Sequence, residues 1–456
     1  MSFKQLLFST KPLFGRLAAV MVFFILQMNG YASNPPTIGI KAVPAGTELS
    51  WTNIEEAEGY SVYRAESRFG KYDSLTPSPI RVTSFVDRDH RYAYYKVSAW
   101  NNGMEGNLSA PQSLDMDLFG PNILIFSPDD SREEVQKVID QVTKELADGR
   151  KSQFTSKRQA ILFKPGNYDW LHFENGFYMQ VAGLGFSPAE TVIDRVSVDT
   201  DWLGGRNATC NFWRTLENLT ILNKSGSFNY GISQAAPLRR LLIHGTVKLD
   251  MGGWASGGYL ANSVVSDTIG SIPQQQFFLR NNEMNYFRGV NWNLVAVGCT
   301  GTIEPKTNRS LIDQTPVVYE KPFLYFKNGA FFVFVPARRN GENGTSWGSG
   351  KIEKGNSISL DRFYVAHADI DNETTLNRQL QLGKHILFTP GIYKVAEPLT
   401  VTKPNTILLG LGLATIQPTT GKSGMLVDEV EGVRIAGLIF DAGPGENEQS
   451  STGGSP

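Results

Sequence analysis

The sequence predicts an all-β protein in which a small antiparallel β-sandwich precedes two right-handed parallel β-helices in tandem. Two observations support this prediction. The stretch ILFKPGNY at residues 161–168 returns almost unchanged as ILFTPGIY at residues 386–393. Around both copies, apolar runs of three to five residues end at Gly, Asn or Asp, with hardly any helix between them. Strands this short are too closely spaced for crossover helices, so they must be buried by stacking coil on coil.

The composition is that of a globular protein with two or three domains. The chain has 456 residues, of which 41% are hydrophobic and 19% are charged. Lys and Arg number 43 against 44 for Asp and Glu, giving a net charge of -1. This charge creates no large field for nucleic acid or an anionic membrane. We therefore expect no nucleic-acid partner and favour a neutral ligand.

Residues 1–32 are predicted to be a secretory signal peptide. Lys4, Lys11 and Arg16 precede the apolar run LAAVMVFFIL, and small residues around Ala32 suit a signal peptidase. The run is about half of the ~20 apolar residues that a membrane-spanning helix needs, and no later segment comes close. We expect a secreted protein, extracellular or periplasmic, with no membrane span after signal removal. A retained N-terminal anchor is the alternative.

Cysteines and histidines give no sign of a metal centre. Cys210 and Cys299 exclude a disulfide-rich scaffold and a four-thiolate zinc site, and leave open whether one disulfide joins them. The five histidines do not fall at metal-ligand spacing, and the sequence has neither GxSxG nor HExxH. We predict no metal and no other cofactor.

Residues 33–117 are predicted to form the β-sandwich. The runs ELSWTN, YSVYRA, TSFVD and YYKVSAWN alternate apolar and polar residues and are separated by turn residues. With Pro35 and Pro36 before the first strand and Trp51 in the second, the region resembles a fibronectin type III domain. That resemblance implies a spacer or a weak binding module, and we assign it no chemistry.

Residues 120–355 are predicted to form the first β-helix, and residues 356–456 the start of the second. Each copy of the repeated strand follows a predicted helix. Ser131 and Glu134 match a capping box before the first helix, and Asp371 and Asn372 offer caps for the second. Such helices would cover the open end of each stack. An antiparallel sandwich is the competing fold, but it accounts for neither the helices nor the repeated turn.

The second copy is expected to be incomplete. After the strand LIFD, which ends at Asp441, only AGPGENEQSSTGGSP follows, whereas the first copy continues for more than a hundred residues beyond the matching LTI. We therefore expect a part of a longer protein, with part of the site missing.

Two sets of motifs resemble known proteins. Twin β-helices that each open with a helix and an LFxPGxY strand resemble glycoside hydrolase family 55, the β-1,3-glucanases of the pectate-lyase-like superfamily, and NFWRTLENLTI at residues 211–221 is similar to a coil of that family. The blocks DMGGWASGGYLANS and QTPVVYEKPFLY resemble secreted proteins catalogued as coagulation factor 5/8 type domain-containing proteins. The resemblance implies a secreted glycoside hydrolase acting on a polysaccharide such as a β-glucan. It assigns no residue of this chain as the general acid.

Four aspartates are candidate catalytic residues. An inverting glycosidase holds an acid and a base about 6.5–9.5 Å apart, and residues on neighbouring coils stand about 4.8 Å apart. Asp250, at a Gly-rich break, with Asp267 one short coil later is the first candidate pair. Asp199 with Asp201 is the second, because their alternation predicts one face of a strand. For each aspartate, a turn-capping or solvated role is the alternative.

Aromatic, amide and basic side chains are candidate substrate-binding residues. Aromatic rings stack on sugars, and amides bind their hydroxyl groups. The candidates are Trp202, Gln234, Arg239, Trp254, Gln275 and Trp292. The glutamines have an alternative role as an amide ladder along the coils, and Arg239 has one as the partner of a nearby carboxylate.

Two further functions stay open beside a glycoside hydrolase. A polysaccharide lyase on the same fold would use a basic proton abstractor and usually Ca²⁺ on an Asp cluster. A non-catalytic glycan-binding or adhesive surface protein would need neither. In every case the predicted partner is a polysaccharide, and no motif indicates an oligomeric state.

Overall fold

The computed structural model describes residues 34–65, 68–88, 93–348 and 350–443. The chain divides into two compact units. One comprises the residues up to Ala65 together with Tyr72–Leu114, and the other comprises Glu66–Lys71 together with the residues from Asp115 onward. The predicted signal peptide, residues 1–32, lies outside the described residues. Among those residues, no helix has the length and apolar character needed to cross a membrane.

The strands of the first unit are β1 Ile38–Val43, β2 Gly46–Trp51, β3 Gly59–Ala65, β4 Asp73–Ser74, β5 Ser84–Asp87, β6 Tyr94–Asn101 and β7 Met104–Glu105. They form two antiparallel sheets, ordered β1-β2-β5 and β4-β3-β6-β7. Leu49 and Trp51 from one sheet share a core with Val62 and Val97 from the other. The fibronectin type III assignment of this sandwich stays a prediction.

The helices described are α1 Leu114–Phe119, α2 Arg132–Leu146, α3 Gly149–Ser152 and α4 Glu373–Gln381, with 3-10 turns at Pro188–Glu190 and Leu360–Arg362. The strands of the first β-helix are β8 Ile123–Phe126, β9 Gln159–Phe163, β10 Gly166–Glu174, β11 Met179–Gly183, β12 Thr191–Ser197, β13 Arg214–Ile221, β14 Ser227–Asn229, β15 Pro237–Ile243, β16 Thr246–Lys248, β17 Tyr259–Ala261, β18 Val264–Ser271, β19 Gln276–Arg280, β20 Glu283–Gly289, β21 Asn293–Val297, β22 Thr300–Ile303 and β23 Arg309–Ile312.

Every pairing among β8–β23 is parallel, so this region is a parallel β-helix, which we call the first stack. One ladder runs from β8 through β9 and every odd-numbered strand to β23. Leu216, Leu238, Leu260 and Leu279 pair in successive coils, and all are buried. The short apolar runs of the sequence are thus buried against one another inside the stack, as predicted. The parallel β-helix is therefore confirmed, and the competing antiparallel sandwich is wrong here.

Each coil of the first stack turns a corner directly after that leucine column. Asn218, Arg240, Asn262 and Asn281 occupy the equivalent corner position in four successive coils, with φ values of 54, 53, 52 and 52°. All four side chains are buried. Asn adopts this left-handed conformation more readily than most residues, which explains its recurrence at the corner.

The repeated LFxPGxY strand closes the same turn in both stacks. The Tyr168 hydroxyl donates to the carbonyl oxygens of Phe126 and Lys164, both at 3.0 Å. The Tyr393 hydroxyl donates to those of Ala366 and Thr389, at 2.7 and 3.0 Å. Both tyrosines are buried. The sequence is therefore written twice because each stack needs the same buried turn at its first coil.

The glycine of that turn is required by close approach. A Cβ on Gly166 would lie 2.6 Å from the side chain of Pro128, and a Cβ on Gly391 would lie 2.5 Å from that of Ala368. Carbon atoms cannot approach this closely, so neither position tolerates a side chain without a shift of its neighbour.

The helices before the two strands begin differently. The Asn372 side chain accepts a hydrogen bond from the Thr375 N–H at 3.1 Å, which confirms the predicted cap of α4. The Ser131 side chain makes no such bond at the start of α2, so the capping box predicted with Glu134 is wrong. There the backbone carbonyl of Ser131 accepts the first hydrogen bond of the helix, from the Val135 N–H.

The stacks are joined by antiparallel strands that the sequence did not predict, which we call the connector: β24 Thr315–Val318, β25 Phe323–Lys327, β26 Ala330–Pro336, β27 Arg339–Glu342 and β28 Gly355–Ser359. The second stack is again parallel and comprises β29 Phe363–Ala366, β30 His385–Phe388, β31 Ile392–Val395, β32 Leu399–Val401, β33 Ile407–Gly410, β34 Thr415–Pro418, β35 Met425–Val427, β36 Arg434–Ala436 and β37 Ile439–Phe440.

The first coils of the two stacks pack side by side. Leu162 and Ala182 of the first stack share a core cluster with Leu387 and Leu409 of the second. Polar contacts add to it: the Gly412 N–H donates to Gln180 Oε1 at 2.7 Å. Beside these contacts, a cavity opens between the two stacks and the connector.

Candidate functional site

A cavity of about 850 Å³ lies between the first stack, the connector and the second stack, and we call it the cleft. Strands β11, β13, β15, β17 and β19 supply one wall, the connector another, and β36 and its neighbours the third. The polar and aromatic residues that line it are Gln180, Trp213, Thr215, Glu217, Arg239, Tyr259, Arg280, Tyr319, Glu320, Lys321 and Arg434.

The register of the first stack determines which charges face the cleft. Glu217 pairs with Arg239, Arg239 with Ala261, and Ala261 with Arg280 in successive coils. These positions directly follow the buried leucine column, so their side chains point outward. The parallel pairing thus places one carboxylate and two guanidinium groups in a single row.

Glu217 is held by the connector. Its two carboxylate oxygens lie 2.6 and 2.7 Å from Lys321 Nζ, and one also accepts from the Thr215 hydroxyl at 2.8 Å. Burial raises the pKa of Glu217, but the Lys321 ammonium and these hydrogen bonds outweigh it, so the pKa lies below its usual value. A carboxyl in this state is an anion and not a proton donor.

Glu320 occupies the neighbouring part of the wall and is also paired with cations. Its Oε2 accepts from Arg280 Nη2 at 2.8 Å and lies 3.9 Å from Arg239 Nη1. Burial lowers the pKa of Arg280, but the Glu320 carboxylate more than reverses this and the pKa is raised. Arg280 also donates to the Tyr259 hydroxyl at 3.0 Å. Arg239 therefore lines the cleft beside a carboxylate, which is the arrangement that its alternative role requires. Its role in substrate binding stays a prediction.

A row of amides and hydroxyls crosses three coils where β15, β17 and β19 begin. Gln234 Nε2 donates to the Ser256 hydroxyl at 3.1 Å, and that hydroxyl donates to Gln275 Oε1 at 3.1 Å. Gln274 beside them is buried and donates to the backbone carbonyls of Ile232 and Leu249, so its role is structural. Gln234 and Gln275 stay at the surface.

Two exposed tryptophans flank this row. Trp254 is 63% exposed and Trp292 is 58% exposed. Ala255, next to Trp254, pairs with Gln274 on the following coil. The backbone N–H of Trp292, one coil further on, donates to the Gln275 carbonyl. The two tryptophans therefore lie two coils apart. At ~4.8 Å per coil their backbones are about 10 Å apart. Gln234, Ser256, Gln275, Trp254 and Trp292 together form what we call the polar flank.

The polar flank is continuous with the cleft. Ala235, Pro237 and Tyr259 line the cleft. Ala235 and Pro237 lie one and three residues after Gln234 of the polar flank, and Tyr259 lies three residues after Ser256. Four of the predicted substrate-binding residues thus meet at one place, next to the fifth, Arg239.

Trp202 is not part of this surface, and its predicted role is wrong. It is 6% exposed and packs edge-on against Phe177 at 6.1 Å between ring centroids. Its indole N–H donates to Asn211 Oδ1 at 2.8 Å. A ring enclosed in this way cannot stack on a sugar.

The predicted pair of Asp250 and Asp267 is contradicted by the strand register. Lys248 pairs with Gly270, so Asp250 lies level with Ile272, five residues beyond Asp267. At ~3.3 Å per residue this is about 16 Å, beyond the ~6.5–9.5 Å of an inverting pair.

Both residues have local roles instead. Asp250 accepts from the Gly252 N–H at 2.8 Å as a turn cap, and burial raises its pKa. Asp267 is exposed and accepts from the Thr246 hydroxyl at 2.9 Å. Neither lines the cleft.

Asp199 and Asp201 do not lie on one face of a strand, because β12 ends at Ser197. Asp199 accepts from Asn229 Nδ2 and Asp201 from the Arg206 N–H, both at 2.8 Å. Both side chains order loops, which was their alternative role.

Glu217 and Lys321 line the cleft beside Glu320 and were not predicted as site residues. Glu217 directly follows Leu216, and aligning the Leu216, Leu238 and Leu260 coils would have placed it in the outward row. No comparable signal exists for Lys321, which belongs to the connector. Among residues that the structure describes, no group of three or more His, Cys, Asp or Glu could hold a metal ion. Both described thiols, Cys210 and Cys299, are free.

The LAM55 pectate lyase-like domain model matches residues 363–452. An exo-beta-1,3-glucanase of Streptomyces sp. (strain SirexAA-E / ActE) is 42% identical over 335 residues, which are 72% of this chain and 54% of that protein. The chain is related to glycoside hydrolase family 55. This relation is what the repeated LFxPGxY strands predicted, and it is confirmed.

Solved structures extend the family 55 relation to the fold. The structure of sacteLam55A from Streptomyces sp. SirexAA-E is 41% identical with a TM-score of 0.68, covering 72% of this chain and 59% of that one. A variant of sacteLam55A in complex with glucose has a TM-score of 0.67 at 38% identity, covering 73% and 62%. The chain thus spans little more than half the length of these relatives. The resemblance to coagulation factor 5/8 type domain-containing proteins stays a prediction.

Proposed function

We propose that this chain is a glycoside hydrolase that acts on a β-1,3-glucan and holds it along the polar flank and the cleft. The observation that carries the proposal is the row of Gln234, Ser256 and Gln275 between exposed Trp254 and Trp292, opening into a cavity. Amides and hydroxyls match the hydroxyl groups of a sugar, and aromatic rings match its apolar faces. The activity named for the 42% identical relative supports the choice of β-1,3-glucan.

The two carboxylates of the cleft have a binding and shaping role in this proposal. The general acid of a glycosidase must keep its proton at the working pH. Glu217 is bonded to Lys321, which lowers its pKa, and Glu320 is bonded to Arg280. We therefore assign neither as proton donor, and the lining residues of the cleft as described supply no acid.

The location and the accessory unit are part of the same proposal. The predicted signal peptide at residues 1–32 supports an extracellular or periplasmic protein, where a polysaccharide substrate is accessible. The sandwich at residues 33–117 would then act as a fibronectin type III-like spacer ahead of the stacks.

The proposal is tested by incubating the full chain with a soluble β-1,3-glucan and, as controls, a β-1,4-glucan and a polygalacturonate. We expect reducing ends to be released from the β-1,3-glucan only, without ultraviolet-absorbing products. Unsaturated, absorbing products would instead identify a lyase. A chain that neither binds nor cleaves the β-1,3-glucan would overturn the proposal.

A second candidate, a glycan-binding protein without catalysis, is favoured by the pairing of both cleft carboxylates with cations. It predicts saturable binding of the β-1,3-glucan with no release of reducing ends. The same incubation, combined with a binding titration, separates the two functions.

A further inference from the structure

Tyr319 is half exposed within the cleft although both of its neighbours in the chain are buried. Its side chain is 53% exposed, whereas Val318 is fully buried and Glu320 is 4% exposed. This alternation continues the pattern of β24, in which Val317 is exposed beside Val318. The ring therefore points away from the packed side of the connector and toward the cavity.

The backbone around Tyr319 is fixed on both sides. Val318 pairs with Arg339 in the antiparallel ladder of the connector. After Tyr319, Glu320 accepts from Arg280 at 2.8 Å and Lys321 donates to Glu217 at 2.6 Å, so two consecutive side chains bind the first stack. An aromatic ring on so constrained a segment loses little conformational entropy when it contacts a ligand.

Arg434 of the second stack covers part of this ring, and the Arg338 guanidinium of the connector lies farther off, 5.9 Å from the ring centroid. The Arg434 guanidinium carbon lies 4.2 Å from the ring centroid, and Nη2 lies 3.5 Å from the Pro336 carbonyl oxygen. Within the residues that the structure describes, no carboxylate lies within 4.0 Å of this guanidinium. The cation thus orients the phenol ring through its π-face and has N–H groups left for another acceptor.

We propose that Tyr319 and Arg434 form a sugar-binding subsite in the cleft, separate from the tryptophans of the polar flank. The open surface of the Tyr319 ring packs against the apolar face of one glucose unit, and Arg434 donates to its hydroxyls or ring oxygen. Aromatic rings prefer such a flat apolar partner, and a guanidinium gives several donors in one plane. This inference rests on the proposed function, since it assumes that the ligand is a β-1,3-glucan.

The subsite is tested by calorimetric titration of the full chain with a β-1,3-linked glucohexaose. The variants are Tyr319→Ala, Tyr319→Leu and Tyr319→Phe. The matched control is Phe154→Ala, because Phe154 is 81% exposed and is not a lining residue of the cleft. We expect Kd to rise about five- to tenfold for Ala and Leu, the weight of one aromatic contact. Phe and the control should bind like the wild type.

Thermal unfolding of the same variants separates binding from stability. Because Tyr319 is exposed, all four variants should unfold within a few degrees of the wild type. Equal affinity of wild type and Tyr319→Ala would overturn the subsite and leave the proposed function standing. Equal losses in Tyr319→Phe and Tyr319→Ala would place the effect in the hydroxyl group and overturn the stacking role. A wild-type chain that binds no hexaose would overturn both proposals.

Discussion

Lys321 Nζ lies 2.6 Å from one carboxylate oxygen of Glu217 and 2.7 Å from the other, so the connector and the first stack share a buried ion pair. The side chains of Glu217 and Lys321 are 8% and 13% exposed. Such a buried pair holds the connector against the first stack, because separating the two groups would leave a buried charge without its counter-ion.

Replacing Lys321→Met should therefore destabilise the protein strongly. Removing one partner of a buried pair leaves an uncompensated charge and typically costs about 3–5 kcal/mol. The free energy of unfolding from urea titration checks this value. Lys422→Met is the control, since Lys422 and Glu397 are both more than half exposed and such pairs contribute about 0–1 kcal/mol. Equal effects of the two substitutions would contradict the buried role.

The buried carboxyl of Asp115 should make the free energy of unfolding fall as the pH rises. Asp115 is 1% exposed, and its partner Lys164 Nζ lies 3.5 Å away. Burial raises the pKa of Asp115 to about 6, although Lys164 counteracts it. Since the folded pKa lies above the unfolded one, the folded state binds more protons between about pH 4 and 6, and ionisation is penalised above that window.

Unfolding free energies of wild type and Asp115→Asn, measured from pH 4 to 7, test this. The wild type should lose stability relative to the variant as the pH rises through this range. The difference between the two should be constant above about pH 6. Parallel curves across the whole range would show that Asp115 titrates normally.

The duplicated tyrosines should be equally important for their stacks. Tyr168→Phe removes the hydroxyl donor from the Lys164 carbonyl, and Tyr393→Phe removes it from the Thr389 carbonyl, which costs about 1–3 kcal/mol in each case. The Phe126 and Ala366 carbonyls keep the backbone N–H donors of Lys164 and Thr389. Urea titration provides the measurement, with Tyr319→Phe as the control because its side chain is half exposed. A loss at only one of the two positions would argue against an equivalent role in the two stacks.

The tryptophans should separate into binding and packing residues. Trp254→Ala and Trp292→Ala should each weaken the binding of β-1,3-glucan about five- to tenfold and leave the unfolding temperature unchanged. Trp202→Ala should cost about 3–5 kcal/mol of stability, because it empties a packed site next to Phe177. Calorimetry and thermal unfolding report the two effects, and a Trp254→Ala variant that binds normally would remove that ring from the polar flank.

Periodic features of the fold were predictable from the sequence. The repeated ILFxPGxY stretch and the spaced apolar runs indicated coils, and the buried tyrosines and leucine column show what those residues do. Gln234, Gln275, Trp254 and Trp292 were predicted as substrate-binding residues from their chemical types alone. Parallel pairing in register then places them on neighbouring coils, and their role in binding stays a prediction.

Side-chain roles that depend on position along a strand were not predictable. Asp250 and Asp267 lie on adjacent coils, as proposed, but a displacement of five residues along the strand separates them. Trp202 has the same composition cue as Trp254, and only its packing on Phe177 distinguishes them. Lys321 reaches Glu217 through an antiparallel connector, and no local pattern connects residues so far apart in sequence.

The corner column of Asn218, Arg240, Asn262 and Asn281 has a consequence for how such a protein varies. Since each coil repeats one backbone corner and one buried leucine, an insertion or deletion of a whole coil preserves the register of its neighbours. Successive corner residues are 22, 22 and 19 positions apart, and the leucine column stays in register across all of them. The loops of a coil can therefore gain or lose residues without disturbing the corner, whereas an insertion between the leucine and the corner would displace the outward row of side chains.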